Sequence, residues 1–251
     1  MPLDLPPINK DNKSVDPEAE PDFKPDYMYA SKSEVVEVLK RGDRVLGAPG
    51  ASLTWGIDGD RMKPQLESGM EGEKQTAGIL AALSEKIPQM FVFHSLSWPE
   101  SNGDTDHIVV YGDLVIVIDT KRWKATRKYS ITAKGQILRG TVPFPEGRVK
   151  IGYALASWRK KLPGANKVQG VVAISQDKVF VARDQNWHKA PFRLVEAEKL
   201  EEFLLQSFKK NPIQKPTPAP LLVYLGSLLV KPRDRRSELI RVGGERRSLN
   251  D

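Results

Sequence analysis

Two carboxylates and an amine fall on one side of an expected β-hairpin. The segment Asp104-Thr105-Asp106-His107-Ile108-Val109-Val110-Tyr111-Gly112-Asp113-Leu114-Val115-Ile116-Val117-Ile118-Asp119-Thr120-Lys121 carries β-branched and apolar residues on both sides of Gly112-Asp113. That dipeptide is a two-residue Gly-X turn of the kind that closes hairpins. With Tyr111 and Leu114 flanking the turn, antiparallel pairing sets Val110 against Val115, Ile108 against Val117 and Asp106 against Asp119. Side chains alternate with period two, so Asp106, Asp119 and Lys121 share one side. Opposed residues hold their Cβ atoms about 4.5–5.5 Å apart, and like charges at that range repel. A divalent cation that takes oxygen ligands, such as Mg²⁺, removes the repulsion. Lys121 beside it can orient a water or stabilise negative charge on a phosphate. The plainer reading is a solvated strand end whose acids Lys121 neutralises, because one slipped residue reverses every side chain.

Upstream, Met70–Leu83 reads as a helix with Ile79, Leu80, Leu83 and Ile87 as its apolar stripe. Glu73 stands three, four and seven residues before Thr76, Ala77 and Leu80, on or beside the face that packs inward. A first-turn acid also interacts favourably with the helix dipole, which accounts for Glu73 without chemistry.

Gly72-Glu73, Asp106-His107-Ile108 and the run Val115-Ile116-Val117-Ile118-Asp119-Thr120-Lys121-Arg122-Trp123 together resemble the nuclease-related domain (NERD) of the PD-(D/E)XK nuclease superfamily, over roughly residues 66 to 185. The likeness is most specific where the apolar strand enters Asp119-Thr120-Lys121-Arg122-Trp123, since the family usually shows an acidic-Thr-Lys-Asn-Trp run there. Two positions depart. The family generally has Glu in place of Asp119, and the Asn-Pro and Gln of its next helix have no counterpart near Gly147-Arg148-Val149-Lys150. The resemblance implies a restriction-endonuclease-like α/β core with a mixed central β-sheet flanked by helices, in α-β-β-β-α-β order. It further implies Mg²⁺ (or Mn²⁺) held by Asp106 and Asp119, with the Thr120 carbonyl as a further ligand and Glu73 completing the acidic cluster. Lys121 would position the attacking water and stabilise the transition state. The implied reaction is metal-assisted hydrolysis of nucleic acid, DNA favoured over RNA.

Charge distribution agrees with a polyanion partner. Residues 121–170 hold 13 Lys and Arg against the single acid Glu146, whereas residues 1–30 hold three Lys against seven acids. Lys124, Arg127, Lys128, Arg148, Lys150, Arg159, Lys160 and Lys161 are the candidate nucleic-acid contacts, because phosphate neutralisation supplies most non-specific affinity. A solvated basic face is the bland alternative. A nuclease-like fold that binds nucleic acid or an assembly partner without cutting is the competing functional reading. The absence of Cys excludes disulfides and thiolate sites, and only His94, His107 and His188, far apart, argue against a histidine-rich zinc centre. His107 follows Asp106, faces away from it and reads as structural. Trp123 either stacks on a base or buttresses the strand end, with packing the preferred role. The N-terminus Met1-Pro2-Leu3-Asp4-Leu5-Pro6 lacks signal-peptide regions, so a cytoplasmic location is expected.

Along the chain, residues 1–27 read as a disordered acidic, Pro-rich tail. Residues 28–65 read as a short helix opened by a Ser31–Glu34 capping box and stopped by Gly42, followed by loop from Gly47 to Gly69. The core with its following helix spans 66–210: helix 71–87, strands near 90–96, 106–111 and 114–121, a small hairpin around 128–140, helix 147–162, strands at 168–174 and 178–183, and a helix over Leu194–Lys209. Residues 211–220 form a Pro-rich linker. Leu221–Val230 is too short to span a membrane and is expected to dock on the core, ahead of a basic tail; membrane-surface or partner attachment is the lesser alternative.

Overall fold

The computed structural model describes residues 28–55, 63–98, 103–124, 126–144, 151–176, 178–182 and 187–233. The expected N-terminal tail, Arg148, Lys150 and most of the basic C-terminal tail lie outside them. Helix α1 (Lys32–Lys40) starts on the expected capping box, Ser31 Oγ accepting from the Glu34 amide and the Glu34 carboxylate accepting from the Ser31 amide at 2.7 Å. The two-residue strand β1 (Val45–Leu46) follows, then a 3₁₀ turn at Ser52–Trp55.

Helix α2 (Lys63–Lys86) begins well before the position its apolar stripe suggests. Pro64 sits in its first turn, where a missing N–H costs nothing. Gly72 is tolerated because a Cβ there would lie 2.5 Å from Ser175 Oγ, so the helix needs glycine to approach the sheet. Strands β2 (Met90–Ser97), β3 (Asp104–Tyr111) and β4 (Leu114–Lys121) form an antiparallel meander. The β3–β4 turn is the expected one, with Gly112 at φ 61, and Val110 pairs Val115 while Ile108 pairs Val117.

Strands β5 (Lys128–Ile131), β6 (Ile137–Arg139) and β7 (Val142–Pro143) then form a small separate sheet. Helix α3 (Ile151–Lys161) crosses back to β8 (Lys167–Ile174), which runs parallel to β4. The strand expected over 178–183 shortens to β9 (Phe180–Val181) and joins the small sheet beside β5.

The segment after Phe192 departs from expectation. Arg193–Glu196 is not the start of a helix but strand β10, parallel to β8, and helix α4 (Leu200–Lys210) starts only after a 3₁₀ turn. Leu194 and Val195 bury the open edge of β8, a gain available only in the extended conformation. Helix α5 (Ala219–Gly226) docks through Leu221, Leu222 and Leu225, and the chain beyond it pairs Leu229 with Leu96. Among the described residues no helix is long and apolar enough to cross a membrane.

The central sheet thus has the order β1-β2-β3-β4-β8-β10, mixed in direction. Both faces are covered, which is why β3 and β4 read as continuous apolar runs. Ile108, Val110, Val115 and Val117 meet Leu155, Trp158, Leu221 and Leu225 on one face. Val109, Ile116 and Ile118 meet Leu80, Leu83, Leu200 and Leu204 on the other.

Candidate active site

Asp106 and Asp119 sit where β3 and β4 stop pairing. The ladder ends at His107 opposite Ile118, one residue short of the carboxylates. There Asp106 Oδ2 accepts the Thr120 backbone N–H at 2.5 Å. The side chain of Asp106 therefore replaces a ladder bond and fixes the strand end. Thr120, of opposite parity, turns to the other face and meets Thr76 of α2 at 3.2 Å between hydroxyls. Asp119 Oδ1 accepts from Lys121 Nζ at 2.7 Å, and the same ammonium reaches the Thr120 carbonyl at 3.3 Å. Asp119 Oδ2 is buried and has no hydrogen-bond partner among the described residues. Glu73 enters from α2, only 3% exposed, its Oε2 accepting the Gly50 N–H at 2.8 Å.

These residues line one cleft of about 620 Å³, together with Asp104, Arg122 and Trp123. Asp104 was not marked by the sequence pattern, although it lies two residues before Asp106 and so shares its side. Four carboxylates thus face two cations. Burial, and then the charge of Asp104, push the Glu73 carboxyl up to about 7 despite the Gly50 hydrogen bond. Burial and the Glu73 charge likewise raise Asp106 well above the usual carboxylate range. Burial works against the Lys121 ammonium, but Asp119 and Asp106 outweigh it and hold the lysine protonated beyond its ordinary range. Lys121 keeps about a third of its side chain open, 34% against 21% for Asp119. A permanently charged, reachable ammonium can donate and stabilise anionic charge; it cannot accept a proton.

The donor set suits a hard divalent cation. Asp119 Oδ2 is a buried acceptor lacking a donor, and Glu73 and Asp106 strain to hold charge. Among the described residues no group of three His, Asp or Glu side chains forms a ready-made metal cage. An ion held here would rest on one or two carboxylates, with water and substrate phosphate completing its shell, as is common for Mg²⁺.

Other residues fall elsewhere. His107 faces away and meets His94, Nδ1 to Nδ1 at 2.8 Å. Burial lowers both imidazoles, His94 to about 4, so the pair is neutral at pH 7. Trp123 is buried against Tyr129 and Phe144, ring centroids 4.9 and 5.2 Å away, and buttresses the small sheet.

The basic stripe is divided. Lys124, Arg127 and Lys128 are exposed on the segment that leads from Lys121 into β5. Arg159, Lys160 and Lys161 end α3, and Arg159 bonds the Val168 carbonyl at 3.3 Å. Val168 pairs with Val115, whereas Lys121 pairs with Ile174. Six residues of strand separate the two places, roughly 20 Å at ~3.3 Å per residue. The cause is topological: a helix joining parallel strands must run back to the start of the next strand. That far end holds its own cavity of about 420 Å³, lined by Arg159, Arg193 and Trp187.

Comparison with curated proteins and with solved structures returned no match to this chain. Residues 68–175, the span from within α2 to just past β8 that carries Glu73, Asp104, Asp106, Asp119 and Lys121, match the family model of the nuclease-related domain.

Proposed function

We propose that the chain is a metal-dependent nuclease that hydrolyses phosphodiester bonds in nucleic acid, DNA favoured over RNA. The observation that carries this reading is the buried Asp119 Oδ2, unpartnered among the described residues, in a cleft shared with Glu73, Asp104 and Asp106, while Asp119 Oδ1 accepts from Lys121. Asp106 and Asp119 would hold Mg²⁺ or Mn²⁺, with Glu73 beside them; the bound ion would polarise the phosphate and activate water. Asp106, tied to the Thr120 amide, keeps the two strand ends in fixed relation. Lys121 stays protonated and places its charge where the phosphorane-like oxygens gain negative charge, the electrostatic contribution that dominates such reactions. The phosphate backbone approaches over Lys124, Arg127 and Lys128, the cations that continue from Lys121 along the small sheet. DNA is preferred because the superfamily that the sequence resembles contains many restriction endonucleases.

The test is incubation of the purified chain with supercoiled, linear and single-stranded DNA, and with RNA, in Mg²⁺, Mn²⁺ or EDTA. Cleavage with either cation and none in EDTA is expected. Cleavage that persists in EDTA overturns the metal-dependent reading. Tight, salt-sensitive binding without cleavage in any cation supports the binding module instead.

A further inference from the structure

Ser95 lies in β2 between two regularly paired residues, His94 opposite His107 and Leu96 opposite Thr105, which places it across from Asp106. Its φ is 54, the left-handed region that a non-glycine residue rarely takes inside a strand, and its side chain is fully buried. Strain of this kind persists only where the surroundings over-determine it. They do so here from two directions. Ser95 Oγ donates to the Ala48 carbonyl at 2.9 Å and accepts the Ala51 N–H at 3.0 Å. The Ser95 carbonyl accepts the Val230 N–H at 2.9 Å, and Ser97 N–H bonds the Leu228 carbonyl at 2.9 Å.

The loop so gripped contains Gly50, whose N–H holds the Glu73 carboxylate. Its entry is equally constrained: Gly47 has φ 83, and a Cβ there would collide with the His94 carbonyl. The C-terminal segment closes over the next turn, Trp55 Nε1 donating to the Lys231 carbonyl at 2.8 Å and the Arg233 N–H to Thr54 Oγ1 at 2.9 Å. Neither residues 47–55 nor residues 228–233 belong to the matched span 68–175.

We infer that Ser95 is a positioning residue that fixes the Glu73 carboxylate through the 48–51 loop, and that this loop, backed by the C-terminal segment, supports the cleft from outside the matched span. The catalytic half of the inference rests on the nuclease reading; the latch itself does not. A serine at this place is more constrained than any packing need explains, since glycine would take the same backbone without strain. The hydroxyl is what glycine lacks, and its two bonds both go to the loop that serves Glu73.

Ser95→Gly in the full chain is the test, because it keeps the left-handed backbone while removing the short side chain, Cβ with its hydroxyl. Two readouts are taken: amide hydrogen exchange at Gly50 and Ala51 with the core amide of Ile116 as reference, and cleavage kinetics resolved into kcat and KM for DNA. In the wild type Gly50 and Ala51 should be protected. In Ser95→Gly both should exchange on the order of tenfold faster while Ile116 is unchanged, the mark of a local opening. The kcat should fall about ten- to a hundredfold, the rate equivalent of one hydrogen bond to a charged group, with KM nearly unaltered. A second variant, Glu73→Ala, should release Gly50 while leaving Ala51 protected.

Wild-type Gly50 and Ala51 amides that exchange like exposed loop amides overturn the latch, whether or not Ser95→Gly folds. Faster exchange with an unchanged kcat overturns the positioning role. Absence of cleavage by the wild type counts against the nuclease reading alone, and the exchange rates then decide the latch.

Discussion

Replacing Glu73 by Gln should stabilise the metal-free protein at pH 8 and change little at pH 5. Glu73 is 3% exposed and its carboxyl is raised from 4.5 to about 7, first by burial and then by Asp104. A carboxyl with a folded-state pKa above its unfolded value binds more protons when folded. Its stability contribution is therefore complete below about pH 4.5 and is lost as pH rises through about 7. The loss amounts to ~3 kcal/mol, at roughly 1.4 kcal/mol for each pH unit of displacement. Glutamine carries no charge to desolvate, and its amide oxygen still accepts the Gly50 N–H. The buried histidines complicate the wild-type profile alone. His94 and His107 have lowered pKa values, so they cost stability as pH falls below about 6.5, for His94 down to about 4, opposite in sign to Glu73. The difference between variant and wild type cancels them. Urea unfolding in EDTA at pH 5, 6, 7 and 8 should give a difference of no more than about 1 kcal/mol at pH 5 that grows in favour of Glu73→Gln and levels off above pH 7. The corresponding rise in Tm at pH 8 is about 6–12 °C for a domain approaching this size. A difference that is constant across the series, or a variant less stable at pH 8, refutes the electrostatic picture of the cleft.

Metal binding should appear as stability. A cation that binds only the folded state contributes about 2.7 kcal/mol at a hundredfold excess over Kd, so Mg²⁺ or Mn²⁺ should raise the wild-type Tm by several degrees. Asp119→Asn should abolish most of that rise; equal shifts in both proteins would mean that Asp119 holds no metal. Nucleic-acid affinity should depend on one half of the basic stripe. Reversing Lys124, Arg127 and Lys128 to Glu should flatten the plot of log affinity against log salt by about two to three, since each lost phosphate contact removes roughly 0.9 from the slope. Reversing Lys160 and Lys161, at the far end of β8, should flatten it much less. Equal effects would show that the backbone spans both ends of the sheet.

The hairpin that presents Asp106, Asp119 and Lys121 was legible because its determinants are local: a glycine with positive φ at the turn and strict alternation on either side. The capping box of α1 was legible for the same reason. Leu194-Val195 was not, since a two-residue apolar pair satisfies helix and strand patterns alike, and only the open edge of β8 decides between them. The sequence also joined Arg159, Lys160 and Lys161 to Lys121 because they are close along the chain; the direction of the crossover helix parts them. Gly50 and Ser95 were invisible for a further reason. Their bonds connect residues 23 and 44 positions apart, and nothing in a glycine or a buried serine marks a carboxylate or a loop so distant. Asp104 shares the period-two side of Asp106, but the apolar run begins only after Asp106, so nothing local marks β3 as starting at Asp104.

The most direct measurement is the rate at which Lys121→Ala cuts DNA, compared with wild type at equal occupancy measured by fluorescence anisotropy. One ammonium is a small part of the basic surface, but it is the charge set 2.7 Å from Asp119 at the centre of the cleft. Mg²⁺- or Mn²⁺-dependent cleavage should fall by at least about a hundredfold, the scale seen when one preorganised electrostatic donor is removed, while DNA affinity should change less than about threefold. Full turnover by Lys121→Ala would contradict the role assigned to this lysine.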